Sequence, residues 1–425
     1  MGLMRTDPPA RLRRRTSPGG GVRLFAFAAL AVASISSVAA QEGPLPGIGG
    51  AWRAQLDLAG GPLRFHMRLQ EEGGLSGVLC NGGACEPFSR VVALSGDSVL
   101  LEMGDYAAAI RAHVDPDSLI GFYRNVGNRG PRTIPFRASR GTWPTALPTD
   151  DLVGRWDAVF TPDDNPSPRV LDLRRTDRGL EGTIISNTGD SGLFWGGVED
   201  GGFAMSHFDG SFVYMLTGEL EGDTLRGIFH AGLTSQRPFV AARSTGRPHL
   251  TPPTELVEVD TTDVFEWAFP DLDGNIVTNE DERFRDKVVI VEILGTWCPT
   301  CHDSAPIMVE LYRRFHDRGL EIVGLAYEVT GDPEVDGALV RRYADKFGIE
   351  FPLLLAGVND SESPRATQPQ LEGPIAFPTT IFLDAAGRVR RVHSGFYGPA
   401  LGAMHEALER ELIEFTEELL REAGR

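Results

Sequence analysis

One stretch of the chain constrains the fold more than any other. An apolar, β-branched run from Val288 to Leu294 breaks at Gly295 and leads into Trp297-Cys298-Pro299-Thr300-Cys301. After the second cysteine the apolar residues recur at helical spacing. The pattern predicts a buried strand that delivers two thiols to the N-terminus of a helix.

The length and charge of the chain limit its architecture and its partners. With 425 residues it is too long for one ordinary domain, and roughly three domains are expected. Its 50 glycines and 29 prolines indicate many turns, so we expect a β-rich part beside any α/β part. The formal charge of −18 argues against a nucleic-acid partner, which would need a basic face.

The N-terminus has the composition of a secretory signal. Arginines between Arg11 and Arg23 precede an apolar run from Leu24 to Val38, and small residues follow. We predict that residues 1–40 form this signal, because the apolar run is shorter than the about 20 residues of a membrane span. Its removal takes away six arginines and one aspartate, which changes the formal charge from −18 to −23. A signal that stays uncleaved and tethers the protein to a membrane remains an alternative.

The other two cysteines, Cys80 and Cys85, flank a glycine-rich turn between two strand-like runs. In an oxidising compartment this arrangement predicts a structural disulfide that staples a hairpin. A metal site is not expected there, because neither a second cysteine pair nor a histidine cluster accompanies these residues.

The N-terminal half of the chain contains one internal duplication. Gly50-Ala-Trp52 recurs as Gly154-Arg-Trp156, and Asp117-Ser-Leu-Ile-Gly121 recurs as Asp223-Thr-Leu-Arg-Gly227 at nearly the same offset. Repeats of this length indicate duplicated domains rather than solenoid units. Short runs of alternating polarity between glycine and aspartate turns indicate antiparallel strands.

We therefore predict two tandem antiparallel β modules, 41–145 and 146–244, each a barrel or a sandwich. The opening Gly-x-Trp of each module resembles the start of lipocalin-like barrels. The modules would offer a ligand cavity or a docking surface for another protein, or their aromatic residues would only form a core. The aromatic residues expected in such a core are Trp52, Trp156, Phe122 and Phe229.

The pattern changes after the second module. Residues 245–261 contain three prolines and are expected to be a stiff linker. From 262 to 425 strands alternate with helices, which indicates an α/β domain. The predicted strands are 288–294, 321–327, 351–355, 379–383 and 389–392, and the predicted helices are 303–315, 334–347 and one that closes the chain.

This order of elements resembles the thioredoxin fold. The resemblance is carried by Trp297-Cys298-Pro299-Thr300-Cys301, Pro306 and Phe377-Pro378-Thr379, and Lys287-Val-Val-Ile-Val makes it strongest for the TlpA and ResA group. It implies an extracytoplasmic thiol-disulfide oxidoreductase that reduces protein disulfides, needs no cofactor and draws electrons from a thiol donor in the membrane. It also implies antioxidant activity, a part in cytochrome c maturation, and a cis peptide before Pro378. The substrate-binding residues that it implies are Trp297, Phe377 and Pro378.

The positions of the two thiols assign their chemical roles. A thiolate, not a thiol, attacks a disulfide, and unpaired N–H groups with the helix dipole would stabilise the thiolate of Cys298. We therefore expect Cys298 to be the nucleophile and Cys301, one turn further along the helix, to be the resolving thiol. The two would form a redox-active disulfide.

Glu292 is the third residue to which we assign a catalytic role. It interrupts an apolar strand six residues before Cys298, where thioredoxins carry a buried aspartate. Burial would raise its pKa and let it exchange a proton with Cys301. Glu328, at the end of the next strand, is a second candidate near the same face.

Three alternatives remain open. Cys298-Pro-Thr-Cys301-His302 also fits the haem attachment pattern, although we expect His302 to be an exposed residue of the first helical turn. A thioredoxin-fold peroxidase would carry a threonine at the position of Gly295. A binding protein that acts mainly through its β modules is the third alternative, and two intact cysteines argue against it.

Overall fold

The computed structural model describes residues 47–425 except 95–96, 128–129, 145–149, 162, 200, 260 and 361–362. The predicted signal, residues 1–40, lies outside the described residues. Among the helices that are described, none combines the length and the apolar character needed to cross a membrane.

The first module is one nine-stranded antiparallel sheet. Its spatial order is β4-β3-β2-β1-β9-β8-β7-β6-β5, and within the described residues the edge strands β4 and β5 share no ladder, so the sheet is a half-barrel. Alternating side chains such as Leu63, Phe65 and Met67 of β2 face its core. The strands are β1 (Gly50–Leu58), β2 (Gly61–Gln70), β3 (Ser76–Asn81), β4 (Ala84–Pro87), β5 (Arg90–Leu94), β6 (Ser98–Met103), β7 (Ala108–Val114), β8 (Ser118–Gly127) and β9 (Gly130–Arg140).

The second module closes where the first stays open. Its order is β11-β10-β18-β17-β16-β15-β14-β12, and an additional β11–β12 ladder completes an eight-stranded barrel, with β13 paired to β12 outside the ring. Closure leaves the ring without free edges. The strands are β10 (Gly154–Phe160), β11 (Ser167–Thr176), β12 (Gly179–Ser186), β13 (Gly189–Asp190), β14 (Phe194–Glu199), β15 (Gly202–Phe208), β16 (Val213–Glu221), β17 (Thr224–Ala231) and β18 (Ser235–Arg243).

The repeated Gly-x-Trp motif makes the same local structure twice. Trp52 and Trp156 are buried, and each indole N–H donates to a carbonyl four residues earlier, at 2.9 and 3.1 Å. Arg140 and Arg243 cover the two indole rings with their guanidinium groups. Phe229 is also buried, but the prediction that Phe122 belongs to the core is wrong, because its side chain points away from the sheet core and is 50% exposed.

The C-terminal domain has a five-stranded sheet in the order β24-β23-β22-β26-β27. Strands β22, β23 and β24 run parallel, and β26 and β27 are antiparallel to their neighbours. The whole domain contains nine strands in the described residues, five of them in this sheet and four in the two short pairs β19–β25 and β20–β21. They are β19 (Glu258–Val259), β20 (Ala268–Pro270), β21 (Ile276–Thr278), β22 (Val288–Leu294), β23 (Leu320–Glu328), β24 (Leu353–Val358), β25 (Leu371–Glu372), β26 (Thr379–Leu383) and β27 (Val389–Ser394). Its helices are α1 (Pro299–Phe315), α2 (Pro333–Phe347), α3 (Ser363–Thr367) and α4 (Ala403–Glu422).

This architecture confirms the predicted fold class, two antiparallel β modules followed by an α/β domain of thioredoxin type. One boundary differs from the expectation. Strand β19 lies inside the segment predicted as a linker and pairs with β25, so the C-terminal domain begins a few residues before residue 262.

The central strand β22 is buried along its whole length and separates two apolar layers. Val288, Ile290 and Leu294 face the layer that contains α1 and α4. Val289, Val291 and Ile293 face the opposite layer. Because successive side chains alternate between faces, Glu292 points towards α1.

Candidate active site

The turn between β22 and α1 holds both thiols. Cys298 precedes the first residue of α1 and its N–H donates to the carbonyl of Gly295 at 3.0 Å. A side chain at Gly295 would meet the indole of Trp297, whose N–H donates to the carbonyl of Tyr327 at 2.8 Å. The tight turn therefore needs glycine there, and the indole fastens it to β23.

Cys298 and Cys301 are both free thiols and both buried. The thiol of Cys298 donates to the carbonyl of Phe377 at 3.3 Å. Burial raises the pKa of Cys301 well above its usual value, and the hydrogen bond and charge of Cys298 and the charge of Glu292 raise it further. The Cys301 thiol therefore holds its proton at neutral pH, and Cys298 lies at the N-terminus of α1.

The predicted substrate-binding residues lie together on one side of Cys298. The peptide between Phe377 and Pro378 is cis. Pro378 is buried, Phe377 is half-buried, and the rings of Trp297 and Phe377 meet edge to face at 5.1 Å. The structure thus brings the segment before β26 against residues 295–298, the turn between β22 and α1, which we call the dithiol turn.

Glu292 is buried in β22, with one carboxylate oxygen engaged. Its Oε1 accepts a hydrogen bond from the hydroxyl of Ser304 at 2.7 Å, and its Oε2 has no partner among the described residues. Burial raises the pKa of Glu292 to about 7, and the hydrogen bond from Ser304 counteracts part of that rise. A carboxyl group with such a pKa can take or give a proton at neutral pH.

Two further side chains complete the surroundings of Cys301. Ser304 also donates to the carbonyl of Cys301 at 3.1 Å, and the hydroxyl of Tyr343 in α2 donates to the same carbonyl at 2.8 Å. Neither residue was singled out from the sequence. The spacing from Cys301 to Ser304 places both on one side of α1, which could have indicated Ser304, whereas nothing local indicates Tyr343.

Glu328 holds the turn from the end of β23. Its carboxylate accepts from the backbone N–H and the hydroxyl of Thr296, at 2.8 and 2.7 Å. Burial raises the pKa of Glu328 to about 7, although the two hydrogen bonds from Thr296 oppose the rise. Glu328 therefore contacts the backbone that precedes the thiols.

The prediction of an exposed His302 is wrong. The ring is buried, its Nε2 lies 2.8 Å from the carbonyl of Thr296, and it stacks on Tyr106 at a centroid distance of 4.3 Å. Tyr106 belongs to the half-barrel, whose short helical turn Gly104–Tyr106 covers the start of α1. The sequence could not indicate this, because the covering residue comes from another domain.

The remaining cysteines, Cys80 and Cys85, are joined by a disulfide across the β3–β4 hairpin, where they face each other. Over the described part of the chain, no group of three or more histidine, cysteine, aspartate or glutamate side chains is arranged to hold a metal ion.

Replacing Ser304 by alanine is expected to raise the pKa of Glu292 further, because the hydrogen bond that lowers it is lost. A hydrogen bond to a charged group contributes about 1.5 kcal/mol, which corresponds to about one pH unit. If the rate of the expected thiol–disulfide exchange is plotted against pH, its midpoint should therefore move up by about one pH unit. Ser304→Thr retains the hydroxyl and serves as the control. A midpoint that stays in place in Ser304→Ala would contradict the assignment of this profile to Glu292.

The C-terminal part of the chain is similar to known proteins. The Redoxin family model matches residues 257–403. A thiol-disulfide oxidoreductase ResA of Halalkalibacterium halodurans is 29% identical over 149 residues, which is 35% of this chain and 72% of the relative. One of Geobacillus thermodenitrificans is 31% identical over 130 residues, 31% of this chain and 66% of the relative. A crystal structure of a thioredoxin-family thiol:disulfide interchange protein from Chlorobium tepidum TLS is 24% identical, with a TM-score of 0.30, and covers 38% of this chain and 99% of its own.

Proposed function

We propose that this chain, whose C-terminal domain belongs to the thioredoxin-like family, is an extracytoplasmic thiol-disulfide oxidoreductase that reduces disulfides in proteins. The Redoxin match and the two ResA relatives support this activity for the C-terminal domain. One observation carries the proposal. Two free thiols stand at the start of α1, and the hydroxyl of Ser304 contacts both the carbonyl of Cys301 and the buried carboxyl group of Glu292, whose pKa is raised to about 7.

The reaction would proceed in two exchanges. The Cys298 thiolate attacks one sulfur of the substrate disulfide, so that a mixed disulfide forms and the other substrate sulfur leaves as a thiolate that takes up a proton. The Cys301 thiolate then attacks the sulfur of Cys298, and the first substrate sulfur leaves in the same way. The substrate gains two electrons and two protons, and Cys298 and Cys301 become a disulfide.

Glu292 would supply the base for the second exchange. The raised pKa of Cys301 means that its proton must be removed before attack, and the charge of Glu292 is one of the influences that raise the pKa of this thiol. The ionised carboxylate accepts the proton and returns it in the opposite direction of the reaction. Ser304 keeps one oxygen of Glu292 engaged and leaves Oε2 for this transfer.

The segment before β26 would bind the substrate. The carbonyl of Phe377 lies beside the thiol of Cys298, so an extended substrate segment at Phe377 and Pro378 would place its disulfide next to the nucleophile. Trp297 would form the other wall of this groove. Strand-like pairing with a backbone segment suits substrates of varied sequence.

The location and the partners follow from the N-terminal signal and the family. Residues 1–40 would direct the chain across the membrane, to the periplasm or another extracytoplasmic space, and an uncleaved signal would tether it there. A thiol donor in the membrane would reduce the Cys298–Cys301 disulfide after each turnover. Substrates in cytochrome c maturation would suit this location.

The proposal is tested by the reduction potential of the Cys298–Cys301 pair against glutathione, together with reduction of insulin disulfides. We expect insulin reduction and a potential near that of thioredoxin, about −270 mV. A potential near −120 mV, typical of a strong oxidant, would contradict a reductase and favour a disulfide-forming enzyme. Absence of any thiol exchange would reject the oxidoreductase itself.

A further inference from the structure

The dithiol turn is in contact with the closed barrel. Residues 209–212 connect β15 to β16, and this connection, which we call the barrel loop, lies on the turn. The hydroxyl of Ser211 donates to the carbonyl of Trp297 at 2.7 Å. Ser211 is 4% exposed, and Trp297 immediately precedes the proposed nucleophile. A residue of a β module therefore binds the peptide bond that leads into Cys298.

The barrel loop is held in one conformation by its own first residue. One oxygen of Asp209 accepts from the backbone N–H groups of Ser211 and Phe212 at 2.8 and 2.7 Å. The other oxygen lies 3.0 Å from Nε2 of His207. Burial alone would lower the pKa of His207, but the hydrogen bond and charge of Asp209 outweigh it and the pKa is raised. Both oxygens of Asp209 are therefore engaged, which fixes the barrel loop at its first residue.

The half-barrel supports the barrel loop from the other side. The hydroxyl of Tyr123 donates to the carbonyl of Gly210 at 3.0 Å, and the guanidinium of Arg132 donates to the carbonyl of Ser211 at 2.5 Å. Gly210 has a φ of +99°, and a side chain there would lie 2.8 Å from the sulfur of Met103. Only glycine permits this approach. The loop is thus fixed by both β modules.

The carbonyl of Thr296, one residue before Trp297 in the dithiol turn, also has a hydrogen-bond partner. Nε2 of His302 lies 2.8 Å from the carbonyl of Thr296, and Tyr106 of the half-barrel stacks on the His302 ring. The carbonyls of Thr296 and Trp297 are therefore both bound, one by a side chain that the half-barrel covers and one by the closed barrel itself.

We propose that Ser211 is a positioning residue of the dithiol site, through which the β modules stabilise the turn in its reduced arrangement. The inference rests on the proposed function. The contact occurs with both thiols free. Closing the disulfide would bring the two sulfur atoms to the about 2.05 Å of an S–S bond, and a movement of Cys298 towards Cys301 would turn the peptide that joins it to Trp297. The hydrogen bond from Ser211 fits the turn as it stands in the dithiol form. It therefore stabilises the dithiol form relative to the disulfide form.

The test is the redox equilibrium with glutathione, measured on the full chain after alkylation of free thiols. In Ser211→Ala we expect the equilibrium constant to shift about tenfold towards the Cys298–Cys301 disulfide, which corresponds to a potential about 30 mV more negative. Ser211→Thr retains the hydroxyl and should restore the wild-type constant. Thr176→Ala removes another hydroxyl–carbonyl hydrogen bond of the same barrel, in the turn between β11 and β12, and should leave the constant unchanged.

An unchanged constant in Ser211→Ala would overturn the inference, and so would an equal shift in Thr176→Ala. A fall in thermal stability of Ser211→Ala without any redox shift would also overturn it, because the serine would then be only structural. If the wild-type thiols do not exchange with glutathione at all, the proposed function itself fails, and that result is recognised before any variant is compared.

Discussion

Replacing Cys298 by serine is expected to lower protein-disulfide reduction by at least about a thousandfold, the scale on which loss of a covalent nucleophile acts. A serine hydroxyl stays protonated at neutral pH, so no anion forms at the start of α1. Replacing Cys301 by serine should have a different effect. Cys298 can still attack, but nothing resolves the product, so a mixed disulfide with the substrate accumulates.

The two outcomes are separated by insulin-reduction rates and by non-reducing electrophoresis. The mixed disulfide should appear as a band that dithiothreitol removes, in Cys301→Ser and not in Cys298→Ser. A variant with both Cys80 and Cys85 replaced by serine is the matched control, because it loses the hairpin disulfide and retains the dithiol. If Cys298→Ser forms the mixed disulfide and Cys301→Ser does not, the roles of the two thiols are reversed.

Replacing Glu292 by glutamine is expected to slow the second exchange by about a hundredfold at neutral pH, the usual contribution of a positioned general base. Glutamine preserves the shape and can still accept from Ser304, but it cannot take the proton of Cys301. Because the pKa of Glu292 is raised to about 7, the wild-type rate should rise with pH through that value. The variant should lack this rise. Glu321→Gln is the control, since Glu321 is equally buried but lies in β23 opposite Val289, at the far end of the ladder from the thiols.

The same substitution should change stability in a pH-dependent way. The pKa of Glu292 is about 7 in the folded chain and 4.5 as the ordinary value, so the folded state retains a proton that the unfolded state releases. The free energy of unfolding therefore falls as pH rises from about 4.5 to 7. At pH 8 Glu292→Gln should unfold with a free energy higher by up to about 3 kcal/mol, and at pH 4.5 it should gain almost nothing. Denaturant titrations at both pH values measure this difference; equal effects at the two values would contradict a buried, proton-binding Glu292.

Most of the C-terminal fold could be predicted because its signals are local. The apolar run of β22, the break at Gly295 and the helical spacing after Cys301 lie within one short stretch, and each reflects a backbone requirement of a buried strand, a tight turn or a helix. Glu292 was conspicuous for the same reason, since a carboxylate in a strand buried on both faces must serve some purpose other than packing.

The β modules were less predictable in detail. Their alternating polarity and duplicated Gly-x-Trp motif indicated paired antiparallel sheets, but not that the second sheet closes through a β11–β12 ladder while the first remains open. Closure depends on strand tilt and stagger summed around the whole ring, which no single strand encodes. The exposure of Phe122 was missed because an aromatic residue in a strand fits either face of a sheet.

By itself, the sequence determined the strand, turn and helix that carry the dithiol, the buried carboxylate behind them and the duplicated β modules. These features depend on side-chain periodicity over a few residues. Only the tertiary structure decided that Tyr106 covers His302 and that Ser211 binds the carbonyl of Trp297. The partners in the second contact are 86 residues apart, one in the closed barrel and one in the C-terminal domain. Such contacts arise from the packing of whole domains against one another, for which the chain carries no local pattern.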